Sequence, residues 1–66
     1  MNDLLVFYAD APFGCLDVCT HVKVENLDDA MVKLSLYGGN GYKIKSAYHR
    51  TNKDGNSYSC RIKIPN

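Results

Sequence analysis

The feature that most constrains this chain is a change of hydrophobic period at Asn26. Before it, Val18, Thr20, Val22 and Val24 alternate with Cys19, His21, Lys23 and Glu25. A repeat of two marks a strand with one buried side. After it, Leu27, Ala30, Met31, Leu34 and Tyr37 recur at i, i+3, i+4, i+7 and i+10, an apolar stripe along a helix. Asn26 suits the junction, because its side-chain oxygen can accept from an unpaired amide of the first turn. Asp28 and Asp29 follow where the helix dipole favours carboxylates. Gly38-Gly39-Asn40-Gly41 predicts the helix end.

The remaining apolar runs read as strands. Leu4–Ala9 is apolar on both sides, as in a central strand, and Asp10–Asp17 with Pro12 and Gly14 reads as a loop. Tyr42–Arg50 and Ser57–Ile64 form a hairpin pattern around Asp54-Gly55, with Pro65 as a stop. Strict alternation turns Tyr42, Ile44, Ser46 and Tyr48 toward the helix, together with Tyr58, Cys60, Ile62 and Ile64. The expected fold is a single α+β domain over residues 1–66. It is a two-layer ββαββ arrangement, a four-stranded antiparallel sheet with one helix packed on one face.

Size and composition narrow the function classes. A chain of 66 residues has room for one core. No apolar run approaches the ~18 residues of a membrane span, and Asn2 and Asp3 give no positive region for a signal peptide. Three cysteines are an odd number for a disulfide framework, which points to the reducing cytoplasm. Cys15-x3-Cys19-x-His21, with Cys60 or His49 as a fourth ligand, superficially resembles a metal cluster. Zinc sites favour tight pairs on turns, so no metal or cofactor is expected and the thiols read as small hydrophobes. No serine occupies a nucleophile elbow, and the glycine run precedes a strand rather than a helix. Catalysis is not expected.

Charge is divided along the chain. Residues 1–40 carry six acids and two bases, whereas residues 41–66 carry six bases and one acid. Alternation gathers Lys43, Lys45 and His49 with Arg61 and Lys63 on the sheet face away from the helix. These five residues are candidate partner contacts, extended by His21 and Lys23 if their strand adjoins. With Tyr42, Tyr48 and Tyr58 expected on the core side, the face lacks rings for base stacking. On the helix, Val32 and Leu36 lie opposite the apolar stripe, near Asp28 and Asp29. They form either a partner or dimer contact or a seat for the N-terminal loop.

Two resemblances follow. The stretch Val24-Glu25-Asn26-Leu27-Asp28-Asp29-Ala30-Met31, with Gly41-Tyr42-Lys43-Ile44 after it, resembles the small inhibitor of host RNA polymerase made by short-tailed coliphages. That resemblance covers about half of the chain and implies that Glu25, Asp28 and Asp29 contact the polymerase. Ser46 and Tyr48 stand where that family has two arginines. Gly38-x-x-Gly41-Tyr42-x-Ile44-x-Ser46, with the ending Ile62-Lys63-Ile64-Pro65, is similar to a family of small bacterial and phage domains of unknown function.

The expectation is therefore a non-enzymatic, phage-type inhibitor acting in the host cytoplasm. It would block a host nucleic-acid-processing or antiviral defence complex, RNA polymerase or a CRISPR-type effector, by protein–protein contact. The alternative is a small nucleic-acid-binding protein that uses the basic sheet face. A homodimer is a further possibility for the apolar helix side.

Overall fold

The computed structural model describes residues 2–64. Its elements are β1 (Asn2–Asp10), β2 (Val18–Val24), α1 (Leu27–Gly39), β3 (Lys43–Lys53) and β4 (Asn56–Arg61). The four strands form one sheet in the order β2-β1-β3-β4, every neighbouring pair antiparallel. The helix packs on β1, β2 and β3 and leaves β4 beyond its reach. This is the expected α+β arrangement, one helix on one face of a four-stranded antiparallel sheet. The expected stop at Pro65 lies outside the described residues.

The apolar run on both sides of β1 has its reason in the strand order. β1 is central, and its helix-side residues Leu5, Phe7 and Ala9 are fully buried. Val24, Ala30, Leu34, Ala47 and Ile62 complete the core, with Val22, Tyr37, Tyr42 and Ile44 packed against it. Phe7 anchors a cluster of three rings, 4.8 Å from Tyr37 and 6.1 Å from Tyr42 between centroids. The helix stripe is narrower than its spacing predicts. Ala30 and Leu34 are buried, but Leu27 and Met31 remain exposed because the helix lies over only part of the sheet.

The helix start forms as read. Asn26 Oδ1 accepts from Asp29 N at 2.9 Å, and the Asp29 carboxylate accepts from Glu25 N at 3.0 Å and Lys33 Nζ at 2.7 Å. These bonds hold the Asp29 pKa below the ordinary carboxylate value, with Lys33 the larger cause. The helix continues through Gly39 and is capped by Asn40, and Gly41 then turns the chain with φ +98°. The hairpin is tighter than the loop expected over residues 51–56. Lys53 pairs with Asn56, so only Asp54 and Gly55 turn, both with positive φ.

One local feature resets a whole strand. Tyr8 pairs with Ser46 but Ala9 pairs with Ile44, which leaves Lys45 as an extra residue, a β-bulge in β3. Ile44 and Ala47 therefore both face the helix, although they are an odd number of residues apart. Beyond the bulge, His49 and Thr51 follow Ala47 onto the helix side, and Ser46, Tyr48 and Arg50 turn to the uncovered side. Alternation predicts the reverse for Ser46, Ala47, Tyr48 and His49. Ala47 is fully buried opposite Phe7, where a small side chain suits a place beside a large buried ring.

Candidate functional site

The uncovered side of the sheet is the surface on which the sequence placed its basic residues. Register identifies its occupants. β2 contributes Cys19, His21 and Lys23, and β1 contributes Leu4, Val6, Tyr8 and Asp10. β3 contributes Lys43, Ser46, Tyr48 and Arg50, with the bulged Lys45 reaching Asp10 on the same side. Ser57, Ser59 and Arg61 come from β4, opposite Asn52, Arg50 and Tyr48. Lys63, just past β4, lines a shallow depression with Lys45 and Arg61.

Of the five expected basic contacts, Lys43, Lys45 and Arg61 thus belong to this side and His49 does not, while Lys63 lies at the rim and lines hollows on both sides. His49 sits opposite Leu5 on the helix side, where its Nε2 lies 2.9 Å from Asp3 Oδ2. Lys45 is also not a free cation. It forms ion pairs with Asp17 and Asp10, the latter at 3.2 Å. These partners raise the Lys45 pKa, Asp17 more than Asp10. Asp10 in turn is held below the ordinary carboxylate value, first by the Asp17 amide at 3.1 Å and then by Lys45.

Strand order also divides the patch. Because β1 lies between β2 and β3, His21 and Lys23 are separated from the hairpin cations by Leu4, Val6 and Tyr8. Cations surround two rings at the middle of the face: Lys23 lies on β2, Arg61 on β4, and Lys43 and Arg50 on β3 to either side of Tyr48. Tyr8 on β1 is 44% exposed. Tyr48 stands on β3, the other central strand, opposite Val6 and two positions along from the partner of Tyr8. Val6 is buried between them. A shallow groove of about 350 Å³ is lined by Val6, Tyr8, Cys19, His21, Tyr48, Arg50 and Ser59, without a carboxylate. Among the described strand residues, Asp10 is the face's one acid, and among the described residues neither Arg50 nor Arg61 is paired with a carboxylate. Tyr8 keeps its proton more firmly than usual, chiefly because of the neighbouring Cys19 side chain.

Sequence reasoning missed Tyr8, Tyr48 and Arg50 as members of this face. The signal that could have found Arg50 and Tyr48 is Ala47, a small apolar residue out of phase with Tyr42 and Ile44. It also missed the apolar tip of the loop between β1 and β2, where Phe13 is 92% exposed and Leu16 is 73% exposed.

The remaining candidates lie elsewhere. Glu25 and Asp28 are exposed at the helix start, while Asp29 is committed to the cap and to Lys33. Val32 and Leu36 are both exposed, so the N-terminal loop does not cover them. Cys15, Cys19 and Cys60 are free thiols and all three are exposed, so none packs in the core as a small hydrophobe. Among the described residues, no three His, Cys, Asp or Glu side chains gather as a metal site would require. No helix of the described residues is long and apolar enough to cross a membrane. Neither a family model, nor a curated protein, nor a solved structure matches the chain.

Proposed function

We propose that this chain is a small non-enzymatic binding protein that blocks a nucleic-acid-processing or antiviral defence complex in the host cytoplasm. The uncovered sheet face is its working surface. The observation that carries this reading is the distribution of charge on that face. Lys23, Lys43, Arg50 and Arg61 border it, and its one strand carboxylate, Asp10, is tied to Lys45 at one end. Such a field draws the molecule toward polyanionic surfaces and weakens with salt. The resemblance to phage polymerase inhibitors supports the same reading, since Glu25 and Asp28 stand exposed at the helix start.

The test is affinity capture from bacterial lysates, with and without nuclease treatment, comparing the native chain with Arg50→Glu/Arg61→Glu. The native chain is expected to enrich a nucleic-acid-processing or defence complex, and the variant to lose it. Identical capture profiles for the two proteins overturn the reading.

The exposure of Val32 (58%) and Leu36 (60%) favours a second reading, in which the outer side of the helix meets another protein or a second copy of this chain. Sedimentation over a concentration series, with Leu36→Glu as control, tests self-association. A monomer at every concentration excludes the homodimer.

A further inference from the structure

We propose that the ligand of the uncovered face is single-stranded nucleic acid, DNA or RNA, with bases stacked on Tyr8 and Tyr48. The inference rests on the reading of this face as the working surface and names what it takes.

Three features of the face argue for it together. The first is the placement of the rings. Tyr8, exposed, and Tyr48, half-buried, stand on the two central strands, and because Tyr8 pairs with Ser46 and Val6 with Tyr48 they are diagonal neighbours. Diagonal cross-strand positions lie about 7–8 Å apart, so two rings present adjacent platforms to successive bases. The second is the position of the cations. Arg61 is in register with Tyr48, and Arg50 follows on β3 with its guanidinium donating to Ser57 Oγ at 3.5 Å, so cations border the rings on the β4 side. The third is the floor between them. Val6, Ser59 and Cys19 are small or buried, which leaves a shallow open groove rather than a pocket.

These features select among polyanions. A duplex keeps its bases stacked and offers only phosphates to a broad sheet, which would leave Tyr8 and Tyr48 without a role. An acidic protein surface would satisfy the arginines and could also cover tyrosines, which protein interfaces favour. A single strand is distinguished by offering a flat base to each ring and a phosphate to each arginine in alternation along one chain. A single strand uses both the rings and the cations.

The test is fluorescence anisotropy at low salt with labelled oligo-dT, labelled oligo-U and a matching duplex, using the full chain. Tyr8→Phe and Tyr48→Phe keep the rings and are expected to retain affinity, whereas Tyr8→Ala and Tyr48→Ala should each lose about 5- to 150-fold. Arg61→Gln should lower the salt slope by about 0.7 for each phosphate contact removed. If an alanine variant does not fold, tyrosine emission of the native chain gives an independent readout, because no tryptophan masks it and stacking quenches it. The dT and U arms separate DNA from RNA as the source of the strand.

Equal affinity for duplex and single strand, with alanine variants unaffected and Arg50→Glu/Arg61→Glu inactive, overturns stacking while leaving the charged working surface intact. No oligonucleotide binding, with lysate capture still dependent on Arg50 and Arg61, shows an acidic protein partner and overturns this inference alone. Loss of both results removes the working surface as well.

Discussion

His49 Nε2 lies 2.9 Å from Asp3 Oδ2 across two neighbouring strands, on the helix side of the sheet. Both side chains are largely buried, at 14% and 9% exposure, and the second oxygen of Asp3 is buried without a hydrogen-bond partner. Asp3 therefore depends on His49 more than an exposed carboxylate would. Removing the imidazole leaves the acid with no compensating group, at a cost of about 1–3 kcal/mol. A chain of this length commands roughly 3–10 kcal/mol in total, so His49→Ala should lower the urea midpoint visibly. The double variant Asp3→Leu/His49→Leu should recover most of the loss, because no polar group is left unpaired. Equal destabilisation by the single and double variants would argue that packing alone, not the pair, sets the effect.

Much of the fold was legible because its strongest signals are local. Asn26 and the carboxylates after it mark a helix start through backbone amides within one turn, and Asp54-Gly55 marks a two-residue turn by its tolerance of positive φ. The face assignment of β3 was not legible for a reason that is equally physical. Tyr48 and Ala47 are both acceptable core residues by hydropathy, and only the presence of the Phe7 ring opposite decides for the smaller one. The strand order was hidden as well. Nothing in β2 or β3 states that β1 lies between them, and it is this order that divides the expected basic patch and brings Tyr8 and Tyr48 to its centre.

Charge pairing at the loop end of the sheet and at the helix start sets a dependence on pH. The carboxyls of Asp10 and Asp29 are lowered from their ordinary 3.8, and the Lys45 amine is raised from its ordinary 10.5. A lowered carboxyl stabilises the fold above its unfolded value, and that contribution is lost as pH falls through the folded value. A raised lysine contributes below its unfolded value and is lost as pH rises through the folded one. Both contributions are therefore in place between about pH 5 and pH 9. Thermal midpoints of the native chain and Lys45→Met, followed over pH, should show the native advantage shrinking above about pH 10.5. The acid decline should persist in the variant, since Asp29 keeps Lys33 and Asp10 keeps the Asp17 amide. An advantage that stays constant into alkali would rule out the Lys45 pairs as its source.

Gly41 ties the end of the helix to the loop that carries Asp17. Its φ is +98°, and a Cβ at this position would come within 3.0 Å of Pro12 Cβ. Gly41→Ala combines backbone strain with a contact that the rigid proline ring cannot easily relieve. The expected cost is about 1–3 kcal/mol. Gly38→Ala, in the last helical turn with open space around it, should be neutral or stabilising by up to about 1 kcal/mol. Denaturant unfolding of the two variants checks the contrast, and equal effects would show that helix propensity rather than the Gly41 turn governs this region.

The bulge at Lys45 makes a deletion more informative than a substitution. With Lys45 present, Ile44 and Ala47 reach the same face only because one extra residue is accommodated between Tyr8 and Ala9 of the partner strand. Removing Lys45 restores plain alternation, leaving Ile44 and Ala47 facing the helix and Ser46 and Tyr48 on the uncovered face. The deletion also removes the ion pairs to Asp10 and Asp17, a modest loss at partly exposed sites that Lys45→Met shares and so measures separately. Deleting Tyr48 shortens the strand equally but turns His49, Arg50 and Thr51 to opposite faces, which exposes His49 and drives Arg50 toward Leu5 and Cys60. Deletion of Lys45 is therefore expected to leave a cooperative urea transition within about 2 kcal/mol of the native chain, in the range of an ordinary single change. Deletion of Tyr48 should abolish that transition. Similar behaviour of the two deletions, whether both fold or both fail, would contradict the register that brings Tyr8, Tyr48, Arg50 and Arg61 to one surface.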